Sequence, residues 1–342
     1  MSGDTAVILG AGFSRDVGGP LLRELLDPEV CLSSRANPEA IETIRRLVPD
    51  STMDAKTTGI EGAFTKIWDD QYAGGTFPGP KGAWAAQDLV AQLQLHLGSV
   101  FEGVIFGRQL RLSKLYQRFM KTTLRGSQSL TLISFNYDTI AEQALDKAGL
   151  TYSYGPDRSI RFVDRRRRMR LRRSEADVRI LKLHGSVNWG ICQRCDDTTD
   201  RSSIINALES SYVPPPRQRC CFCKRDFLLP GIVPPVASKG ASLGPFADLW
   251  DRARASLRRC REVMIIGYSL PPTDTQARSL LEEINQPGTR PRVTLVCGRN
   301  GPSPQLSSVF LKWREIREPF EEFVAGAYSR GLPEWMKPGF VE

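Results

Sequence analysis

The stretch Thr-Ala-Val-Ile-Leu-Gly-Ala-Gly-Phe-Ser, residues 5–14, joins a short apolar run to a glycine-rich turn. An apolar run bounded by a turn signal predicts that its first five residues form a buried strand. Gly10 and Gly12 predict a sharp turn directly after that strand. Pro20 then predicts the start of a helix through about Leu26, because proline is favoured in the first helical turn. A strand, a turn and a helix in this order are the repeating unit of an α/β fold.

Four later apolar runs predict further strands: residues 129–134, 178–183, 263–266 and 293–296. Helical patterns alternate with these runs, beginning near residue 138 and covering residues 247–260 and 275–284. Strands that alternate with helices favour a parallel sheet covered by helices. The sequence therefore predicts an α/β, Rossmann-like, doubly wound parallel sheet.

Other regions interrupt this alternation. Residues 50–82 are polar and rich in glycine and proline, which predicts a long loop, whereas residues 83–123 carry leucines at helical spacing. Aromatic residues between 310 and 323 also recur at roughly helical spacing. We expect four parts: a sheet domain at 1–30 and 126–300, an inserted loop and helical layer at 31–125, a cysteine module at 190–226 and a helical tail at 301–342.

The bulk composition is ordinary for a globular protein with a sizeable core. The chain has 342 residues, of which 41% are hydrophobic and 25% are charged. No apolar run reaches the ~20 residues that a membrane-spanning helix needs. The N-terminus lacks the basic segment and apolar run of a secretory signal. These observations predict a cytoplasmic protein with no membrane partner.

The net charge of +9 is concentrated in a run of arginines, Arg165–Arg173. Such a run can pair with nucleic-acid phosphates, and the affinity would then fall steeply with salt. Few aromatic residues interleave the arginines, which weakens a role in stacking on single-stranded bases. We therefore favour a solvated hairpin or a contact to an acidic partner, with nucleic-acid binding as the alternative.

The predicted strands end in residues suited to chemistry. Asn136 and Asp138 come just after one strand, and His184 comes directly after the next. Because parallel strands gather ligand groups at their carboxyl ends, we expect these residues and the glycine turn to meet at one nucleotide pocket. Histidine changes charge near neutral pH and suits proton transfer, whereas Asp138 alone is equally typical of a helix N-cap. The other histidine, His96, lies within a helical pattern and is expected to be structural.

The glycine turn is a weak signal when it stands alone. Backbone amides in such a turn and at the following helix favour a phosphate, but a tight turn without a ligand is the alternative. The dinucleotide fingerprint needs a third glycine where Arg15 stands. No strand with a terminal acidic residue follows about 20 residues later. These departures disfavour a hydride-transferring dehydrogenase.

Cys192-Gln-Arg-Cys195 and Cys220-Cys-Phe-Cys223 form two Cys-x-x-Cys pairs separated by 24 residues. Four thiolates in this arrangement suit tetrahedral zinc. Four sulfur ligands leave no open position, so the zinc is expected to be structural. Cys221 leaves the ligand set open because it can replace Cys220, and reduced buried cysteines without a metal are the alternative.

The ordered motifs resemble those of the sirtuin superfamily. They are Gly-Ala-Gly-x-Ser, Asn-x-Asp, His-Gly, the four-cysteine module and Gly-x-Ser-Leu at residues 267–270. The similarity covers most of residues 5–300, and five motifs in one order are far more specific than any one of them. The resemblance implies a Rossmann-like domain that binds NAD.

Details resemble one branch, the bacterial sirtuin-like NAD hydrolases of antiphage defence systems. Phe135 stands where deacylases usually have Gln, and residues 18–26 lack the Asp-Phe pair that deacylases carry after the first turn. Ser-Phe-Asn-Tyr-Asp, Lys-Leu-His-Gly-Ser-Val-Asn-Trp and Gly-Tyr-Ser-Leu-Pro-Pro-Thr-Asp resemble that branch. The zinc module departs from several of those relatives, which lack it.

The resemblance implies an NAD glycohydrolase that releases nicotinamide and ADP-ribose. Asn136 is expected to orient the ribose and the attacking water, and His184 to accept a proton. Asp138 is expected to contact the nicotinamide side or to support its loop. The other residues that the resemblance places at NAD are Gly10, Ala11, Gly12, Phe13, Ser14, Pro20, Gly267 and Ser269.

An NAD hydrolase that is always active would deplete its own cell, so we expect low basal activity and a trigger. The expected partners are further copies of the chain, a defence protein such as an ATPase, or both. A protein-lysine deacylase that uses the same NAD and the same histidine is the first alternative. A non-catalytic subunit that binds nucleic acid or a partner protein is the second.

Overall fold

The structure is a computed structural model, and it describes residues 4–48, 53–107, 114–154, 160–162, 176–192, 204–207, 218–220, 223–225, 227–236, 246–286, 288 and 291–329. The strands are β1 (Thr5–Leu9), β2 (Thr76–Gly79), β3 (Gly82–Ala85), β4 (Leu130–Ser134), β5 (Tyr152–Ser153), β6 (Ile160–Phe162), β7 (Val178–Lys182), β8 (Gly185–Cys192), β9 (Ile204–Ala207), β10 (Leu229–Ile232), β11 (Glu262–Ile266), β12 (Arg292–Cys297) and β13 (Arg314–Arg317). The helices are α1 (Ala11–Arg15), α2 (Pro28–Cys31), α3 (Pro38–Arg46), α4 (Met53–Ala73), α5 (Ala86–Gly107), α6 (Lys114–Arg125), α7 (Ile140–Ala148), α8 (Ala247–Leu257), α9 (Thr275–Glu282), α10 (Pro304–Ser307) and α11 (Phe320–Ser329).

Seven strands form one sheet in the order β13-β12-β11-β1-β4-β7-β5, and all neighbouring pairs are parallel. This confirms the predicted Rossmann-like parallel sheet with flanking helices. On one side of β1 lie β4, β7 and β5. On its other side lie β11, β12 and β13, which come later in the chain. The strand order therefore reverses between β1 and β11. In open α/β sheets, ligands bind outside the carboxyl ends of the strands at such a reversal.

The apolar side chains form two large clusters. The first surrounds the sheet, and its centre includes β1, β4 and β11 with helices that pack against them. The second lies among α3, α4 and α5 and has its own buried residues, such as Ile44, Phe64 and Leu93. We call α3, α4 and α5 the helical layer. The short antiparallel pair β2–β3 connects α4 to α5.

The predicted loop at residues 50–82 is wrong for most of its length, because α4 occupies Met53–Ala73. Ile60, Phe64 and Ile67 are buried on this helix at helical spacing and pack in the second cluster. Gly59 and Gly62 lower the helix propensity of the segment and obscured that pattern.

The structure also differs from the prediction after Pro20 and in the C-terminal tail. The helix expected from Pro20 is only a 3-10 turn over Leu22–Glu24. The sheet extends past residue 300, because β13 pairs with β12 in the region where a helical tail was expected. Phe320 and Phe323 of α11 are buried in the sheet cluster, so the described part of this tail packs on the core of its own chain.

A second sheet, in the order β10-β8-β9-β6, carries the described part of the cysteine module. Cys195, Cys221 and the arginine run Arg165–Arg173 lie outside the described residues. Among the helices described, none combines the length and apolar character needed to cross a membrane.

Candidate active site

A cavity of about 480 Å³ lies at the carboxyl ends of the central strands. This volume is within the usual range for a small-molecule site. Among the residues that line it are Gly10, Ala11, Gly12, Ser14, Pro20, Asn136, Asp138, His184, Gly267 and Ser269. The structure therefore gathers these sequence-predicted residues around one space. Phe13 differs, because its ring is buried in the core, 5.1 Å from the Tyr116 ring and 4.7 Å from the Phe320 ring between centroids.

The glycines of the first turn allow close backbone packing. A Cβ on Gly10 would lie 2.5 Å from Tyr268 Cα, and a Cβ on Gly267 would lie 2.4 Å from Gly12 Cα. Gly267 also has a positive φ of 61°, which favours glycine. Contrary to the expectation of exposed donors, the amides of Gly10, Gly12 and Phe13 each donate to a backbone carbonyl of the protein. The glycines thus bring the loops after β1 and β11 into direct contact.

A chain of hydrogen bonds joins the first turn to the loop after β4. The Asn136 Nδ2 atom donates to Gly10 O at 2.9 Å and to Ser14 Oγ at 3.2 Å. Ser14 Oγ in turn donates to Asp138 Oδ2 at 2.6 Å, while Asp138 Oδ1 accepts from the Ile140 amide at 2.9 Å. Both Asp138 oxygens are therefore engaged within the protein. Asp138 supports its loop, one of the two roles expected for it.

His184 is buried among aromatic rings. Its ring lies 5.2 Å from Phe135, 6.1 Å from Trp250 and 6.2 Å from Tyr137 between centroids. Phe135 also stacks on the Tyr268 ring at 4.3 Å between centroids. Aromatic rings from the loop after β4 and from α8 therefore surround the imidazole.

Asp274 faces His184, and its role was missed in the sequence. Its Oδ2 lies 3.8 Å from His184 Nε2, and both side chains are buried. Asp274 Oδ1 caps α9 by accepting from the Ala277 amide at 3.3 Å. Oδ2 accepts from the Tyr268 hydroxyl at 2.9 Å. Burial, and then the Asp274 carboxylate, raises the pKa of Tyr268 well above its ordinary value, so this phenol stays a donor.

The helical layer adds a second carboxylate that sequence reasoning missed. Glu61 of α4 is 3% exposed and lines the same cavity. It accepts a hydrogen bond from the Thr273 hydroxyl, next to Asp274. The predicted loop at 50–82 hid Glu61, whereas Asp274 had a visible signal as an N-cap residue shortly after a strand. The cavity therefore holds acidic groups from both clusters.

Three cysteines of the predicted zinc site come together. The sulfur atoms of Cys192, Cys220 and Cys223 all lie within 4.8 Å of one another, and those of Cys192 and Cys223 are 3.7 Å apart. Two thiolates bound to one tetrahedral zinc at ~2.3 Å would lie about 3.8 Å apart. The three described residues fit a tetrahedral sulfur site. The predicted fourth ligand, Cys195, is outside the described residues.

A parallel sheet with its cavity at the reversal of strand order defines an open α/β protein with its candidate ligand site at that reversal. A family model described as a SIR2-like domain matches residues 130–317, which is more than half of the chain. The chain therefore belongs to the SIR2-like domain family. Among curated proteins, none matches.

One similar solved structure is a crystal structure of Sir2 in complex with the inhibitor EX-527, 2'-O-acetyl-ADP-ribose and a deacetylated p53 peptide. The two chains are 14% identical, the match covers 96% of this chain and 93% of the other, and the TM-score is 0.38. This likeness is too distant to bear on individual site residues.

Proposed function

We propose that the protein is a sirtuin-type NAD glycohydrolase, which cleaves the bond between nicotinamide and ribose to give nicotinamide and ADP-ribose. The observation that carries the proposal is that Asn136 and His184, 48 positions apart, line one cavity with the glycine turn. Membership of the SIR2-like family supports NAD as the substrate. The proposed wider role, a triggered NAD-depleting effector of antiphage defence, rests on the motif resemblance alone.

In this mechanism the leaving nicotinamide needs little acid assistance, because it departs as a neutral pyridine. Positive charge develops on the ribose, as in glycoside hydrolysis. The Asn136 Nδ2 atom is engaged by Gly10 and Ser14, so its Oδ1 atom is the group offered to a ribose hydroxyl or to water. His184 takes the proton that water loses, and the Asp274 carboxylate stabilises the imidazolium that forms.

The test is chromatographic detection of nicotinamide released from NAD by the purified protein. We expect Asn136→Ala to lower turnover about 10²- to 10³-fold and His184→Ala about 10²- to 10⁴-fold. Gln87→Ala, which removes an exposed amide from α5, is the matched control and should keep full turnover. Unchanged nicotinamide release by both site variants would refute the assignment.

The same assay separates hydrolysis from deacylation. Leu21 and Leu22 line the cavity in the segment that lacks the Asp-Phe pair of deacylases. We therefore expect NAD loss that does not depend on an acylated peptide. Mass spectrometry that found O-acyl-ADP-ribose as the main product, formed only when an acyl-lysine peptide is present, would identify a deacylase instead.

We also propose a structural zinc held by Cys192, Cys195, Cys220 and Cys223. The sulfur spacing of the three described ligands supports it. Elemental analysis should find about one zinc per chain. Cys220→Ser should lose that zinc and lower the melting temperature, whereas Cys260→Ser changes a buried cysteine elsewhere and should keep the metal. A metal-free, fully folded wild-type protein would exclude the zinc site.

A further inference from the structure

Lys182 is a fully buried lysine that lies behind the cavity. It is the last residue of β7, two positions before His184, and its side chain is 1% exposed. Its Nζ atom donates to the main-chain oxygen of Asp138 and lies 3.3 Å from Glu142 Oε1. It is not among the residues that line the cavity. A lysine buried away from the cavity must act through the groups that it holds.

Its partner Glu142, on α7, is fixed from the opposite side. The Glu142 side chain is fully buried, and its Oε1 atom accepts from the Tyr154 hydroxyl at 3.2 Å. Asn188 Nδ2 donates to the same hydroxyl at 3.2 Å. Burial raises the pKa of Glu142, and the Lys182 charge opposes that shift. The ammonium group is thereby held at one place between α7 and the loop after β4.

Stability alone is a weak reason for this arrangement. A buried ion pair costs much of its attraction in desolvation, and well-packed apolar residues of similar volume often stabilise a protein as well or better. Apolar residues cannot, however, donate a hydrogen bond to the Asp138 carbonyl. What the ammonium adds is therefore a fixed position for the backbone at Asp138.

From Asp138 the constraint reaches Asn136 by two further contacts. The Asp138 carboxylate accepts from Ser14 Oγ, and Ser14 Oγ accepts from Asn136 Nδ2. The side chains of all three residues are buried. Lys182 thus braces the loop that carries Asn136 against the strand that leads to His184.

We propose that Lys182 is a positioning residue that sets the distance and orientation between the Asn136 amide and the His184 imidazole. The proposal rests on the proposed function, since it assigns both groups to one reaction. Misplacement of reacting groups by about 1 Å can cost about 100-fold in rate. Because Lys182 does not line the cavity, its loss should lower kcat far more than it raises KM.

The test separates this role from stability with a double variant, Lys182→Met with Glu142→Leu, which removes both charges together. We expect a melting temperature close to that of the wild type, kcat for nicotinamide release lowered about 10- to 100-fold, and KM for NAD within about threefold. Calorimetric binding of ADP-ribose should be equally little changed. Glu142→Gln alone keeps the lysine bond to Asp138 and should keep kcat within about threefold.

If the double variant does not fold, Lys182→Gln with Glu142→Gln replaces it. These neutral amides can hydrogen-bond to each other, but a glutamine side chain is shorter than lysine and cannot take the place of the ammonium. A folded double variant with wild-type kcat would overturn the proposal. Wild-type protein that releases no nicotinamide, alone or with candidate partner proteins added, would instead overturn the proposed function. In that event amide hydrogen exchange of residues 134–139 tests the positioning role of Lys182. Faster exchange in the double variant supports that role, and unchanged exchange refutes it.

Discussion

The sheet cluster and the helical layer both line the cavity, but they contribute to it in different ways. On the sheet side, Asn136, His184 and the glycine turn follow strand ends and are fixed by backbone contacts and buried hydrogen bonds. On the layer side, Glu61 and Phe101 extend from helices that pack in a separate cluster. The comparison teaches that backbone contacts and buried hydrogen bonds fix the polar groups on the sheet side, whereas the helical layer lines the other side of the cavity with an acidic and an aromatic side chain.

Matched glycine substitutions give the largest difference between the two regions. Gly267→Ala must place a Cβ 2.4 Å from the Gly12 backbone at a positive φ, and we expect it to lower the free energy of unfolding by roughly 3 kcal/mol. Gly62→Ala on α4 meets nothing within 4 Å and should stabilise by about 0.5–1 kcal/mol. Denaturant unfolding measures both, and equal effects would contradict the contrast.

Asp274→Asn tests the sheet side without a change of shape. The amide can still cap α9 and bond Tyr268, but it cannot stabilise a protonated His184. We expect kcat to fall about 10- to 100-fold. An unaltered rate would show that His184 works without this carboxylate.

Glu61→Gln is the corresponding change on the layer side. NAD carries a positive pyridinium before cleavage and a positive ribose during it, so a nearby carboxylate attracts both states to a similar extent. We therefore expect KM for NAD to rise about three- to tenfold, with kcat nearly unchanged. A loss in kcat as large as that of Asp274→Asn would place Glu61 in the reaction itself.

The smallest expected effect is on the pH dependence of stability, and it arises at His96, which bonds the helical layer to the segment before α2. Burial lowers the pKa of His96, whose Nε2 atom bonds Leu25 O at 2.8 Å. The unfolded chain then binds the proton more readily, so stability falls as pH decreases below the ordinary histidine value of 6.5. Melting temperatures from about pH 8 to about pH 5 should decline less in His96→Gln than in the wild type. Parallel declines would assign the pH dependence to other groups.

The same contrast explains what could be predicted from the sequence. The strands around the cavity are continuous apolar runs, and polar residues stand directly after them, so Asn136 and His184 could be placed at one edge of the sheet. Part of the helical layer, α4, was predicted as a loop because it contains two glycines, although its buried Ile60, Phe64 and Ile67 have helical spacing. β13 is short and polar, and only its pairing with β12 makes it a strand.

The contacts within the site were less accessible than its location. Which carbonyls use the amides of the glycine turn depends on how closely β1 and β11 approach, and that distance is a property of the folded sheet. The pairing of Lys182 with Glu142 likewise joins residues 40 positions apart that each look unsuitable for a core. The sequence pattern locates strand ends, but it does not reveal which buried polar groups meet behind them.

The reversal of strand order has a consequence for synthesis on the ribosome. One edge of β1 pairs with β11, which is translated more than 250 residues after β1. The cavity beside Gly10 lacks the lining residues of the Gly267 loop until that loop has left the ribosomal exit tunnel. The NAD glycohydrolase activity that we propose therefore cannot begin before the segment that carries Gly267 has been translated.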